Sequence, residues 1–219
     1  NKNIPIKLLI DSGGSDALWL FEDDSLGIEL THPFFEDFLG YGLGGSVYGK
    51  RSTIDALILK SFVIEDANVA YPENASIISQ STLIAKGTKQ EPIAFFSDTS
   101  TGGGIFVNDA RSRSEIAYCT FDNLSNPNNE IWSVSGAINF NESDVTISNC
   151  VFKNNRCEDG LNIIRSQFTM SSTRFQDTFS DSFDGDFVAG TITDCQFYNA
   201  GNDAIDVSGS QLTLRDVLI

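Results

Sequence analysis

The chain has 219 residues, enough for one large or two small domains, and 41% of them are hydrophobic, as in an ordinary globular protein. Thirty acidic residues against 14 basic ones give a formal net charge of −16, which disfavours nucleic acid and anionic membrane surfaces as partners. No apolar run approaches the roughly 20 residues that span a bilayer, so membrane insertion is not expected.

The first 73 residues predict a small β-rich segment. Residues 4–10, IPIKLLI, predict a buried strand; the turn DSGGSD follows, and ALWLF predicts a second strand. The stretch GYGLGGSVYGKRS predicts a glycine-rich hairpin, and TIDALILKSFVIEDANVAYPE predicts two further strands. Because the texture changes near Pro72–Asn74, we expect one domain over 1–73 and a second over 74–219.

An apolar strand that delivers Asp11-Ser12-Gly13 resembles the retropepsin-like aspartic peptidases. In that family two such loops bring two aspartates together, and the pair shares one proton. The resemblance implies a symmetric dimer with Asp11 from each subunit as the catalytic pair, Ser12 bonded to the partner loop and Gly13 at the sharp turn. It also implies a substrate flap in the glycine-rich hairpin, formed by Gly44, Gly45 and Tyr48.

This resemblance covers only part of the family's fold. A strand before the catalytic one and a closing hydrophobic-hydrophobic-Gly strand are both missing from the pattern, so we interpret residues 1–73 as an incomplete peptidase segment. The residue types of DSGG also fit a simple hairpin turn between two strands. A degenerate segment and an active endopeptidase therefore both stay open.

A repeat of about 22 residues dominates the second domain. Ile147, Met170, Ile192 and Leu214 follow one another at steps of 23, 22 and 22 residues. Self-similarity at this period predicts a solenoid in which each coil buries its apolar face against its neighbours. Two further apolar columns are expected to point inward: Phe152, Phe175, Phe197 and Ile219, and Leu161, Phe183 and Ile205.

The step length fits three short β-strands and their turns per coil, which makes the chain all-β. The stretch DNLSNPNNEIW interrupts the period and predicts an insertion loop. This repeat resembles the right-handed parallel β-helix family of pectate lyases and many bacterial surface proteins, over residues 74–219. The resemblance implies a secreted, periplasmic or cell-envelope protein that binds polysaccharide or protein.

Cys119, Cys150 and Cys195 fall in one repeat column, which Thr173 fills elsewhere. A position that accepts both residue types predicts a small buried niche with free thiols. Because no Cys-x-x-Cys occurs and His32 is the only histidine, a zinc site is not expected.

Two columns of carboxylates flank the third apolar column. If the coils are in register, these side chains stack at strand spacing and predict either a Ca²⁺ site or an acid/base pair for a glycosidic bond. The alternative is that they cap backbone N–H groups in successive turns. The candidates are Asp159, Asp181 and Asp203 in one column, and Asn162, Asp184 and Asp206 in the other.

The segments SDSFDGD and GNDAID resemble the aspartate segments of polygalacturonases, which also need a histidine and a basic substrate clamp. The second domain contains no histidine, which counts against that enzyme class. Trp132 lies in the insertion, where binding residues often occur, and is a candidate for stacking on a sugar.

We therefore expect a bacterial β-helical binding or scaffold module, with a carbohydrate as one candidate ligand, behind a degenerate peptidase-like segment. The alternatives are a dimeric aspartic endopeptidase that uses Asp11 and a polysaccharide-active enzyme that uses the stacked aspartates. The sequence stops within a coil at LTLRDVLI, which predicts a fragment, a homodimer or end-to-end association through the open coil.

Overall fold

The structure, a computed structural model, describes residues 18–20, 30–42, 45–59, 62–73, 76–97, 102–128 and 132–219. These residues form 21 β-strands and no helix, which confirms the predicted all-β class. With every described element a strand, this part of the chain holds no helix able to cross a bilayer. Two units divide the chain, Asn1–Asn74 and Ala75–Ile219.

The first unit is a four-stranded sheet in which β2, β3 and β4 run antiparallel and β1 lies parallel to β4. The predicted glycine-rich hairpin is present, with Gly42 opposite Gly45 beside its turn. The strand predicted over residues 4–10 lies outside the described residues. The four strands are β1 (Leu18–Trp19), β2 (Phe35–Gly42), β3 (Gly45–Leu59) and β4 (Phe62–Glu73).

The second unit consists of three parallel sheets. Sheet I contains β5 (Ile77–Ser79), β8 (Ile105–Asn108), β11 (Gly136–Asn141), β14 (Asp159–Ile164), β17 (Asp181–Asp186) and β20 (Ile205–Ser208). Sheet II contains β6 (Ile84–Lys86), β9 (Ser114–Ala117), β12 (Val145–Ser148), β15 (Gln167–Ser171), β18 (Ala189–Thr193) and β21 (Gln211–Arg215). Sheet III contains β7 (Ile93–Phe96), β10 (Cys119–Asp122), β13 (Val151–Lys153), β16 (Arg174–Gln176) and β19 (Gln196–Tyr198).

Along the chain, successive strands enter sheets I, II and III in turn, so each coil adds one strand to each sheet. This order and the parallel pairing fit the predicted β-helix with three strands per coil. The predicted columns are ladders of paired residues, for example Ile147 with Met170 in sheet II and Leu161 with Phe183 in sheet I. Because alternate residues of a strand point to opposite faces, each ladder stays on one face throughout.

The inward ladders form one continuous hydrophobic core. In sheet III this core is a stack of phenylalanine rings with successive centroids 5.1, 4.8, 4.6 and 4.9 Å apart. Stacked rings at this spacing add aromatic contact to the burial of each side chain. The stack extends the predicted column by two members and consists of Phe95, Phe121, Phe152, Phe175 and Phe197.

Single residues in the left-handed conformation turn the chain at its corners. The series after sheet III is made of asparagine and aspartate, the non-glycine residues that adopt this conformation most readily. The three series are Asp109, Glu142, Arg165, Phe187 and Gly209 after sheet I; Tyr118, Asn149, Ser172, Asp194 and Asp216 after sheet II; and Asn123, Asn154, Asp177 and Asn199 after sheet III.

The four cysteines, all in the described part of the chain, are buried and free, as predicted. Their column follows a hydrogen-bonding rule as well as a size rule. The Cys150 thiol donates to the carbonyl oxygen of Ser148, two residues earlier, at 3.2 Å. The Thr173 hydroxyl makes the same bond to Ser171 at 2.9 Å. Cysteine and threonine therefore exchange here because both are small donors.

Candidate functional site

The outer face of sheet I carries a polar ladder. Phe183 points into the core, so its neighbour Asp184 points outward, and the same alternation holds on the adjacent strands. Strand pairing aligns five outward residues at one position of successive coils: Phe106, Asn139, Asn162, Asp184 and Asp206. We call these five residues the outer column.

Three residues before each of the last four members stands a second series. The pairs are Gly136 with Asn139, Asp159 with Asn162, Asp181 with Asp184, and Asp203 with Asp206. Carboxylates per coil therefore rise from none to one and then to two. The outer column is aromatic and uncharged at its N-terminal end and strongly acidic at its C-terminal end.

Asn139 is satisfied by the backbone around it. Its amide nitrogen donates to the carbonyl oxygens of Ile105 and Gly136, and its oxygen accepts from the Gly136 N–H. A side chain at Gly136 would press on Asn139, since an added Cβ would lie 2.8 Å from the Asn139 oxygen. This first pair therefore has a structural role.

Asn162 lies one coil further on and has different neighbours. Its amide nitrogen lies 2.7 Å from the Ser135 hydroxyl, 2.9 Å from an Asp159 oxygen and 3.1 Å from an Asp184 oxygen. Carboxylates only accept, so the nitrogen must face them and the carbonyl oxygen must point elsewhere. That oxygen is buried and has no hydrogen-bond partner among the described residues, in a side chain that is 3% exposed.

The two carboxylates beside Asn162 hold their protons more tightly than usual. Burial raises the pKa of Asp159, which is 2% exposed. Burial and the charges of Asp159, Asp186 and Asp206 raise the pKa of Asp184 to about 7. Loss of hydration and like charges both disfavour the ionised form. Asp184 is thus a carboxyl group that holds a proton near neutral pH.

The acidic end of the ladder contains a group that could hold a metal ion. Carboxylate oxygens of Asp181, Asp203 and Asp206 lie within 4.8 Å of one another, and oxygen ligands of this kind suit Ca²⁺. Asp181 also accepts from the Asp203 N–H at 2.8 Å and from the Asn202 amide at 2.9 Å. The predicted capping role of Asp181 is therefore present as well.

A cavity of about 690 Å³ opens over the amide end of sheet I. This volume is in the range of small-molecule sites. Of the described residues that line it, only Glu158 and Arg165 are charged. The complete lining is Phe106, Asn126, Ser133, Val134, Ser135, Asn139, Phe140, Asn141, Glu158, Asn162, Ile164 and Arg165.

The predicted insertion forms one wall of this cavity. The Asn126 amide donates to the Val134 carbonyl at 2.7 Å, and the Val134 N–H donates to Pro127 at 3.1 Å, so the two ends of the loop are tied together. Trp132 packs against Phe106 with ring centroids 6.0 Å apart. Trp132 therefore supports the aromatic wall of the cavity.

The predicted residues fall into separate groups. Asp159 and Asp184 meet at Asn162, which lines the cavity, and Asp181, Asp203 and Asp206 form the acidic group outside the lining. Trp132 lies at the aromatic end, away from that group in the order of coils.

The peptidase residues can be followed only in part. Asp11, Ser12, Gly13 and Gly44 lie outside the described residues. Gly45 pairs with Gly42. Tyr48 stands three residues from the hairpin turn, is 60% exposed, and contacts the Phe38 ring edge-on at 5.6 Å.

Three cavity residues were not predicted from the sequence: Phe106, Glu158 and Asn162 as a binding group. A usable signal exists for Asn162, because an aspartate three residues before an asparagine in a repeat places amide and carboxylate on one face. Phe106 carries the weaker signal of an aromatic residue in an outward position beside an insertion.

Comparison of the sequence with models of protein families finds no match, and comparison with curated proteins finds no significant match.

Proposed function

We propose that this protein is a secreted or envelope-associated bacterial module, built on a right-handed parallel β-helix, that binds polysaccharide through the cavity on sheet I. One observation carries the proposal: a cavity of about 690 Å³ joins an aromatic wall at Phe106 to a floor of amide side chains. The degenerate peptidase-like segment would then be structural.

The chemistry of the lining supports a sugar as ligand. Sugars offer hydroxyl groups to amides and carboxylates and an apolar ring face to aromatic side chains. Asn139, Asn141 and Asn162 line the cavity beside Phe106, which Trp132 buttresses. Because successive coils repeat this face, a linear polymer can contact several of them at once.

Binding can be tested by affinity electrophoresis in gels that contain neutral, acidic or amino polysaccharides. We expect retardation in at least one gel and its loss in Phe106→Ala and Trp132→Ala. Tyr198→Ala is the matched control, since this exposed aromatic residue lies on sheet III and contributes nothing to the lining. Equal retardation of all variants, or none in any gel, would contradict the proposal.

A polysaccharide-active enzyme is a second candidate, favoured by the pKa of about 7 at Asp184. A carboxylic acid that stays protonated near neutral pH is suited to donate a proton to a leaving group. Release of new reducing ends that Asp184→Asn abolishes would support this activity. The dimeric peptidase stays a prediction, tested by cleavage of an unfolded protein by the parent chain and by Asp11→Asn.

A further inference from the structure

The cavity lacks hydrogen-bond donors for its buried acceptors. The Asn162 carbonyl oxygen is unpaired within the described part of the chain, and the contacts of its amide nitrogen to two carboxylates fix that orientation. The side-chain oxygen of Asn141, another lining residue, is also buried without a partner in the same described set. Unpaired buried acceptors are costly, so this site is best completed by a ligand that donates.

The charges around these acceptors are mostly negative. Glu158 lines the cavity, is exposed, and forms no ion pair with any described residue. Asp159 and Asp184 stand behind Asn162. A donor that enters the cavity is therefore favoured further if it carries a positive charge.

Arg165 does not reverse this balance. It is the one cation among the described residues of the lining. Its guanidinium lies 3.9 Å from Glu142 and over the Phe187 ring at 6.0 Å, at the corner after sheet I. A carboxylate ligand that sought Arg165 would meet Glu142 there and Glu158 elsewhere in the cavity.

We propose that the cavity selects glycans with free, protonated amino groups, such as glucosamine oligomers, over their N-acetylated or uronic-acid counterparts. This inference rests on the proposed polysaccharide-binding function. An ammonium group donates to the Asn162 oxygen and is attracted by Glu158, whereas an N-acetyl group keeps a donor but loses the charge. A uronate brings a further acceptor and a negative charge.

The test is a titration of the full chain, at about pH 7 and low salt, with three oligomers of equal length: glucosamine, N-acetylglucosamine and galacturonate. We expect glucosamine oligomers to bind at least about tenfold more tightly than the other two, as one charge-assisted hydrogen bond implies. Equal or tighter binding of either of the others would overturn the inference and leave the binding function standing. Failure of all three, with no retardation by any polysaccharide in the gels, would remove both.

Two variants separate the cavity from general attraction to an acidic protein. Glu158→Gln removes one cavity charge, and Asp194→Asn removes one from an exposed corner after sheet II. We expect about tenfold weaker glucosamine binding in the first and little change in the second. An equal effect of both would show diffuse attraction and overturn the inference.

A third variant exchanges neighbouring groups of the outer column. The double substitution Asn162→Asp with Asp184→Asn keeps net charge and the amide–carboxylate pair but turns the charge toward the cavity. We expect tighter binding of glucosamine oligomers and unchanged binding of the N-acetylated ones, with circular dichroism as the check on folding. Unchanged or weaker glucosamine binding by a folded variant would contradict the assignment of Asn162.

Discussion

At the scale of single residues, Asp184 links stability to pH. Its pKa of about 7 lies above the ordinary value of 3.8, so folding takes up a proton between these limits. The group therefore contributes stability that is complete below about pH 4 and is lost as the pH rises through about 7. The parent protein should lose stability over this window on account of Asp184.

Asp184→Asn should remove this loss. We expect the variant to be more stable than the parent at about pH 8, on the order of 1 kcal/mol after allowance for the solvent exposure of Asp184, and close to it at about pH 5. Urea unfolding at the two pH values measures the difference. A variant less stable than the parent at the higher pH would show that the carboxylate is satisfied in its ionised form.

Phe175 tests the phenylalanine stack of sheet III. Its side chain is fully buried between Phe152 at 4.6 Å and Phe197 at 4.9 Å. Phe175→Ala should lower the free energy of unfolding by about 3–5 kcal/mol, because the cavity left between two coils cannot collapse fully. Phe187→Ala, at a ring that is 62% exposed, is the control and should cost far less. Similar losses in urea unfolding would contradict the role of the stack.

At the scale of elements, β15 and β18 share one inward position between them. Phe168 pairs with Gly190, and a Cβ on Gly190 would overlap the Phe168 ring. Gly190→Val should therefore cost about 1–3 kcal/mol by overpacking. In the Phe168→Ala background the valine has room, so the double variant should lose less stability than the two single losses added together. Additive losses in urea unfolding would show that the residues do not compete for space.

The sequence predicts the repeated elements well because the information is local and recurs. A column such as Leu161, Phe183 and Ile205 requires only strand alternation and a constant step, and each coil repeats the evidence. The hairpin at Gly42 and Gly45 follows likewise from the residues beside its turn.

The cavity could not be predicted in the same way. Its wall depends on the insertion folding back through Asn126 and Val134, a contact that occurs once and has no repeat to average over. The chemistry of Asn162 depends on Ser135 and Asp184, which are 27 and 22 residues away in the sequence. Only the fold brings these groups together, so the sequence pattern suggests aspartates and leaves the asparagine between them unnoticed.

At the scale of the whole molecule, the net charge of −16 opposes folding through repulsion between like charges. Raising the ionic strength with sodium chloride to on the order of 0.5 M shortens the screening length to a few ångströms. The thermal midpoint should therefore rise with salt. The few surface ion pairs that salt weakens, such as Arg113 with Asp144, contribute little each. A midpoint that falls with salt would mean that these pairs outweigh the repulsion.

The three hydrogen-bonded ladders have a mechanical consequence. Each coil of the second unit is bonded only to the coil before and the coil after it, through sheets I, II and III. If the unit is pulled from its two ends, the load falls on one coil boundary at a time, and the outermost coil peels away first. Each event should release the 22 residues of a coil, about 7 nm of extended chain, and give a regular saw-tooth in a force–extension trace. The coil that carries the insertion, with a step of 31 residues between Ile116 and Ile147, should give one longer tooth.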